Sequence, residues 1–223
     1  MEGTDEVLRI DWLRDPSTAS NGLRLLRDLG QKYSHKGLSE ADTLAIFVEP
    51  VLRGLGWDTL SISQLGRESR RADPICDMQL LYDNKVAVAI ETKALDYDRV
   101  LTDYNGQLKG DITRRLLSTE TGIPGRRMTE SQRWNTQHRL EHRGSVFVYG
   151  VLTNGRRWFA YDFTTKIPIP TEAFDKLRPL ISENGLDLLN CHELDVARLA
   201  AVLGRDALHA SIQEWKAKAS PAS

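Results

Sequence analysis

The sequence predicts an α/β (α+β) fold in which helices flank a mixed β-sheet. The predicted elements follow the order helix, three strands, helix, two strands and further helices. The hydrophobic spacing changes from helical to alternating after Trp57. The 223 residues, 40% of them hydrophobic and 27% charged, are enough for a sizeable core in a globular protein. Because no apolar run approaches the length of a membrane span, we expect no membrane partner.

Two amphipathic helices are predicted before the first strand. The first covers residues 20–34. The second begins after Ser39, where Asp42 three residues later gives a capping-box-like arrangement. Gly56 is expected to end this helix, and Pro50 inside it is expected to introduce a kink.

The remaining elements follow from alternating and helical periodicity. Strands are predicted at 57–65, 75–83, 85–93, 145–152 and 157–163, and helices at 99–117, 171–183 and 193–218. Asp83-Asn84 is a turn signal, so the second and third strands are expected to form a hairpin. We expect one domain over residues 1–185, with its core at 39–163. A helical extension at 186–223 is expected to pack on that domain or on a partner.

The strand at 85–93 ends in charges where its pattern is still that of a buried strand. Glu91 and Lys93 are two residues apart and therefore share one face, while Thr92 points to the other. Burying such charges without partners is costly. A solvated ion pair at a strand end is the simplest explanation, and such pairs contribute little to stability.

A second carboxylate changes that interpretation. Asp77 precedes Glu91 by fourteen residues, and a hairpin through Asp83-Asn84 would make the two near neighbours across the strands. Two close carboxylates repel each other, and a hard cation such as Mg²⁺ removes the conflict. Lys93 could then orient a water or stabilise developing charge, which suits phosphodiester hydrolysis. Asp73 is an alternative ligand, although the spacing of Asp77 fits a tight hairpin better.

These residues, in this order, resemble the PD-(D/E)xK nuclease superfamily. More narrowly, residues 39–163 resemble the N-terminal nuclease domain of type I restriction enzyme motor subunits and its stand-alone relatives. Four features carry the resemblance: the segment SEADTLAIFVEPVLRGLGWD, Asp77 with the later Glu91-Thr92-Lys93, the glutamine in NGQLKGD, and the hairpin GVLTNGRRWFAYDF. The resemblance implies a restriction-endonuclease-like core.

The resemblance also implies roles for individual residues. Asp77 and Glu91 would be metal ligands, with the carbonyl of Thr92 as a possible third, and Lys93 would be the catalytic lysine. Glu40 would support the metal site from its helix, and Gln107 would contact substrate or position the site. The implied activity is that of a Mg²⁺-dependent DNA endonuclease of a restriction or defence system, with Mn²⁺ able to substitute.

Two departures from the family pattern keep an alternative open. Cys76 stands where the family often has proline, and Asp111 stands where it commonly has tyrosine. A catalytically silent nuclease-fold module that binds nucleic acid or a partner protein is therefore the second hypothesis. The residues do not distinguish DNA from RNA, or single from double strands.

Charge distribution points to a nucleic-acid partner. The net charge is only −1, yet residues 105–143 carry eight Lys or Arg against four Asp or Glu. The expected phosphate contacts are Arg70, Arg71, Lys109, Arg114, Arg115, Arg126 and Arg127. DNA is the expected partner, and the apolar face of the C-terminal helix allows a homodimer or a larger restriction or defence complex. Only two cysteines and no export signal lead us to expect a cytoplasmic protein.

Overall fold

A single six-stranded sheet organises the structure. The structure, a computed structural model, describes residue 24 and residues 27–33, 36–67, 77–83, 85–95, 129–132, 147–164 and 178–219. The strands are β1 (Leu65–Arg67), β2 (Met78–Tyr82), β3 (Lys85–Thr92), β4 (Tyr149–Thr153), β5 (Arg157–Asp162) and β6 (Leu186–Asp187). They lie in the order β1-β2-β3-β4-β5-β6.

The sheet is mixed because one of its pairings is parallel. β3 and β4 run parallel, and every other neighbouring pair is antiparallel. β3 is central and is buried from Val86 to Thr92, as expected of a strand covered on both faces. The general α/β class predicted from the sequence, a mixed sheet with helices, is therefore confirmed.

The predicted N-terminal helix signals are found in the structure. Residues 27–33 form helix α1. Helix α2 (Glu40–Thr43) begins with a capping box, in which the Asp42 N–H donates to Ser39 Oγ at 3.1 Å. A π-helical turn (Leu44–Val48) and helix α3 (Glu49–Gly54) continue the same segment.

The π-helical turn lies immediately before helix α3, whose second residue is Pro50. Pro50 has no N–H to donate to the preceding turn, and it sits within the first two positions of α3. The irregularity that the structure shows in this helix is the π-helical turn, and the kink predicted at Pro50 stays a prediction. Gly56, with φ of 88°, follows the end of α3 as predicted.

The C-terminal segment forms two helices where one was predicted. Helix α4 (Glu193–Leu203) and helix α5 (Arg205–Ala219) are separated by Gly204. A Cβ at Gly204 would lie 2.3 Å from the carbonyl oxygen of Ala200, so no larger residue fits this break. The Arg205 N–H donates to the Leu55 carbonyl at 2.9 Å, and the Trp57 indole donates to the Leu203 carbonyl at 2.8 Å. These bonds fix α4 and α5 against the segment that follows α3.

One hydrophobic core joins the helices to the sheet. Phe47 of the π-helical turn, Ile90 of β3 and Leu203 of α4 are all fully buried within it. The predicted strand at 57–65 is wrong, because residues 59–64 consist largely of turns and only Leu65 belongs to β1. Asp58 Oδ1 accepts the Leu60 N–H at 3.0 Å, which is the local turn chemistry that the alternating pattern concealed.

The predicted helix at 171–183 is wrong over its described part. Residues 178–183 are not helical, and Pro179 instead forms an isolated bridge with Tyr161. Residues 171–177 and the predicted helix at 99–117 lie outside the described residues. Among the helices that the structure describes, none is both long enough and apolar enough to cross a membrane.

Candidate active site

The β2–β3 hairpin brings Asp77 and Glu91 to neighbouring positions. Met78 pairs with Ile90, so one further step along the antiparallel register places Asp77 beside Glu91. The predicted hairpin pairing is thereby confirmed. Asp77 Oδ2 accepts the backbone N–H of Thr92 at 2.6 Å, a short charge-assisted bond that ties the carboxylate to the end of β3.

Lys93 joins two carboxylates from different elements. Its Nζ donates to Glu91 Oε1 at 2.7 Å and lies 3.4 Å from Glu40 Oε1 of α2. The side chains of Glu91 and Lys93 are 3% and 6% exposed, whereas that of Glu40 is 51% exposed. The site therefore has a buried floor formed by the strand residues and an open side at the start of α2.

Burial and charge act in opposite directions on the Lys93 ammonium. Removal from water lowers the pKa of Lys93, but the hydrogen bond and charge of Glu91, with the charges of Glu40 and Asp77, outweigh it. The pKa of Lys93 is therefore raised above its ordinary value. In this arrangement Lys93 is a cation and a hydrogen-bond donor.

The turn between β4 and β5 fixes the backbone that carries Lys93. The Lys93 N–H donates to the Thr153 carbonyl at 2.8 Å, and Asn154 Nδ2 donates to the Leu95 carbonyl at 3.1 Å. Asn154 is fully buried, and its Oδ1 also accepts the Arg157 N–H at 2.7 Å. The backbone after β3 is consequently held at Lys93 and again at Leu95.

The same turn packs on the helical segment that carries Glu40. Gly155 has φ of 79°, and a Cβ there would lie 2.7 Å from Phe47 Cβ and 3.1 Å from Thr43 Cγ2. A side chain would therefore be both strained and in collision. This close approach positions the α2 segment relative to the strand ends, and with it the Glu40 carboxylate relative to Lys93.

Several polar and charged groups are buried at the end of the sheet that carries Glu91, and their burial costs free energy. Within the described part of the chain no hydrogen-bond partner is found for the buried hydroxyl oxygens of Thr43 and Thr92, and a buried polar group left unsatisfied costs about 1–3 kcal/mol. The buried Glu91–Lys93 pair adds a desolvation cost.

The donor set suits a hard cation held by few protein ligands. Asp77 and Glu91 supply carboxylate oxygens, and Mg²⁺ commonly takes one or two carboxylates and completes its shell with water and phosphate oxygens. In the part of the chain that the structure describes, no group of three or more His, Cys, Asp or Glu is placed to hold a metal. The oxygen atoms that could hold such an ion at this site are those of the Asp77 and Glu91 carboxylates and of the adjacent Thr92 carbonyl.

Several residues predicted to be functional lie outside the described residues. Gln107 is one of them, and so is the rival ligand Asp73. The predicted phosphate contacts also lie there: Arg70, Arg71, Lys109, Arg114, Arg115, Arg126 and Arg127. The described part of the site thus consists of Asp77, Glu91, Thr92, Lys93 and Glu40.

Two residues that hold the backbone at and just after Lys93, Thr153 and Asn154, were not predicted from the sequence. Thr153 and Asn154 belong to the T-N-G turn, which the pattern explained only as a hairpin device. Full burial of a polar side chain would have indicated a supporting role, but burial is not visible in a turn motif. Arg67, which precedes the expected phosphate contacts Arg70 and Arg71, makes its hydrogen bonds within the fold. It donates to Glu49 Oε1 at 2.8 Å and to the Thr59 carbonyl at 2.9 Å.

Comparison of the chain with protein-family models, with curated proteins and with solved structures gave no match.

Proposed function

We propose that this chain is a metal-dependent nuclease with a restriction-endonuclease-like core, which hydrolyses phosphodiester bonds in DNA as part of a restriction or defence system. The observation that carries the proposal is the convergence of Asp77, Glu91 and Lys93 at the buried end of one hairpin. A pair of carboxylates can hold the metal ion for phosphodiester hydrolysis, and an adjacent ammonium can stabilise the charge that develops on the phosphate.

Each residue has a distinct task in this mechanism. Asp77 and Glu91, with the Thr92 carbonyl, would hold Mg²⁺ or Mn²⁺. When bound, the ion supplies a bound water of lowered pKa and neutralises charge on the phosphate. The Lys93 ammonium orients the attacking water and stabilises the charge that develops on the phosphate oxygens. Glu40, at the open side, holds the Lys93 Nζ in place.

The test uses substitutions that keep the local hydrogen bonds. Asp77→Asn retains an oxygen that can accept the Thr92 N–H, and Glu91→Gln leaves Lys93 paired with Glu40. Supercoiled plasmid and circular single-stranded DNA are incubated with each protein in Mg²⁺, Mn²⁺ or EDTA. We expect metal-dependent nicking by the native chain and at least about a hundredfold loss in both variants.

Asp83→Asn is the matched control. It makes the same chemical change on the same hairpin, at the turn end, where Asp83 is exposed and paired with Lys216. Its φ of 50° is also compatible with asparagine. This variant should cut at the native rate. Native cleavage by folded Asp77→Asn or Glu91→Gln protein would show that the carboxylate site is not the source of the activity.

A catalytically silent module that binds nucleic acid or a partner protein is the second candidate. The observation in its favour is that Lys93 Nζ lies 2.7 Å from Glu91 Oε1, which is the geometry of a structural ion pair. DNA binding that is unchanged by EDTA, with no cleavage in either metal, would support this candidate. Cleavage that is lost in Glu91→Gln would exclude it.

A further inference from the structure

A cleft of about 550 Å³ lies beyond the carboxyl end of β4, outside the carboxylate site. The described residues that line it are Arg27, Gly30, Gln31, Arg156, Leu189 and Asn190. Its polar side chains are two guanidinium groups and two carboxamides, and none of these lining residues is a carboxylate. The cleft therefore offers hydrogen-bond donors and positive charge, which suits an anionic ligand.

Arg27 is positioned at this cleft by backbone carbonyls. Its Nε donates to the Leu189 carbonyl at 2.7 Å and its Nη2 to the Cys191 carbonyl at 2.8 Å. Neither acceptor carries a formal charge, so the guanidinium charge of Arg27 is not neutralised by these bonds. They use two of its three nitrogens and fix the plane in which Nη1 can donate to a ligand.

Arg156 is held by one carboxylate behind the cleft. Its Nε and Nη2 donate to Asp187 Oδ2 at 3.0 and 2.7 Å, and Asn190 Nδ2 donates to the same oxygen at 2.9 Å. Asp187 thus neutralises one of the two guanidinium groups and orients Arg156 and Asn190 together. Arg27, Arg156 and Asp187 together carry a net charge of +1.

The cleft adjoins the end of the sheet that carries the carboxylates. Arg156 follows Thr153 by three residues, which is at most about 11 Å of extended chain. Thr153 is the Cα partner of Thr92 across the parallel β3–β4 pair, about 5 Å away. A nucleic-acid strand that rises about 3.4 Å per nucleotide covers the resulting distance in a few nucleotides.

We propose that this cleft binds a backbone phosphate of the nucleic-acid strand, a few nucleotides from the phosphate that lies at Asp77 and Glu91. The inference rests on the proposed function for the identity of the strand, but the anion-binding chemistry of the cleft is independent of cleavage. Arg27 and Arg156 supply the charge, and the Asn190 carboxamide, which donates one N–H to Asp187, supplies a neutral donor beside them. The contact is to phosphate and does not discriminate between bases.

The first test measures DNA binding by the full chain in EDTA, so that cleavage does not interfere. Affinity is determined at several salt concentrations for the native chain, Arg156→Gln and the control Arg198→Gln on α4, whose side chain is 67% exposed. Loss of one phosphate contact should weaken binding about tenfold and reduce the salt slope by about 0.9. Arg198→Gln should bind as the native chain does. An unchanged affinity and slope in Arg156→Gln would overturn the proposal.

A second variant avoids leaving Asp187 without its partner. Gln31→Glu places a carboxylate at the cleft on an exposed helical position, and Ala210→Glu adds the same charge to an exposed position of α5. Gln31→Glu should weaken DNA binding severalfold, and Ala210→Glu should not. Equal effects of the two substitutions would show that only net charge matters and would contradict a site at the cleft.

Inorganic phosphate distinguishes the source of the anion. If it stabilises the native chain but not Gln31→Glu against thermal unfolding, while both bind DNA equally, the cleft takes a free anion and the proposed strand contact is wrong. Failure of the proposed function gives a different result. Cleavage by Glu91→Gln at the native rate removes the carboxylate mechanism, whether or not Arg156→Gln weakens DNA binding.

Discussion

Two lysine–carboxylate pairs lie at opposite ends of the β2–β3 hairpin and differ in their exposure to solvent. At the turn end, Lys216 Nζ lies 3.3 Å from Asp83 Oδ2, and the side chains are 46% and 67% exposed. At the open end, the Lys93–Glu91 distance is 2.7 Å and the side chains are 6% and 3% exposed. An exposed pair contributes about 0–1 kcal/mol. The attraction within a buried pair must first offset the desolvation of both charges, so the presence of such a pair is only weak evidence that it stabilises the fold.

The largest expected difference between the two ends of the hairpin is in the stability lost when the lysine is removed, by Lys93→Ala at one end and by Lys216→Ala at the other. Lys93→Ala removes the ammonium that donates to the buried Glu91 carboxylate, and breaking a buried ion pair in this way costs about 3–5 kcal/mol in the free energy of unfolding. Lys216→Ala removes an exposed partner and should cost less than about 1 kcal/mol. Urea unfolding of both variants measures the contrast. Similar small losses would show that Glu91 gains water or another partner when Lys93 is removed.

Replacing both members of the buried pair with apolar residues should remove the loss of stability and can turn it into a gain in the free energy of unfolding. In Glu91→Leu with Lys93→Met, no charge remains to be desolvated at this position. We expect the double variant to be as stable as the native chain, or more stable by about 1–4 kcal/mol, and to be inactive in the nicking assay. A double variant less stable than Lys93→Ala would mean that the pair stabilises the fold and would favour the structural interpretation of the pair.

The Arg156–Asp187 pair provides an intermediate case, with side chains 35% and 24% exposed. Burial acts to raise the pKa of Asp187, but hydrogen bonds from Arg156 and Asn190 outweigh it and hold that pKa below its ordinary value. A lowered folded-state pKa contributes stability above the unfolded pKa, and this is lost as the pH falls through the folded value. Asp187→Asn should therefore cost about 1–2 kcal/mol near neutral pH, and less below about pH 4. Urea unfolding at pH 7, 5 and 3 checks this, and a pH-independent cost would contradict it.

The smallest expected difference in stability is that between Asp77→Asn and Asp83→Asn. The first converts a charge-assisted bond to the Thr92 N–H into a neutral one and should cost about 1 kcal/mol. The second changes an exposed turn residue and should cost less than about 0.5 kcal/mol. Thermal unfolding measures both losses. A larger loss for Asp83→Asn would show that the turn, and not the buried end, limits the stability of the hairpin.

The hairpin at the candidate site could be predicted from sequence, but its exact register could not. The Asp83-Asn84 turn signal and the alternation of apolar residues after it predict the β2–β3 hairpin. Next to the turn Tyr82 pairs with Lys85, and that register, continued, would place Asp77 opposite Ile90. An irregularity between Leu80 and Leu81 shifts the pairing by one residue, so that Asp77 lies beside Glu91 instead. The contact of Glu40 with Lys93 is a tertiary contact between a helix and a strand end. No spacing rule encodes it, and only the family resemblance suggested that Glu40 belongs to the site.

Other parts of the fold could not be predicted from the sequence, because turns or long-range contacts outweighed the local hydrophobic pattern. The alternating apolar residues at 57–65 suggested a strand, but Leu60 and Ile62 are 85% and 91% exposed because turns formed there instead. The single C-terminal helix was broken at Gly204, where the Arg205 N–H bonds to Leu55. The supporting bonds of Asn154 also depend on a distant segment, since its partner Leu95 lies 59 residues earlier.

Those sequence separations also determine the order in which the site can assemble during folding. The Asp77–Thr92 bond spans 15 residues within a hairpin, and hairpins form in about 1–10 μs. The Lys93–Thr153 bond belongs to a parallel pairing, which must await closure of a long crossover and is intrinsically slower. Pulse-labelled hydrogen exchange should therefore find the Thr92 amide protected before that of its neighbour Lys93, and simultaneous protection would contradict this order. A nascent chain would accordingly bring its acidic residues together first and fix its lysine last.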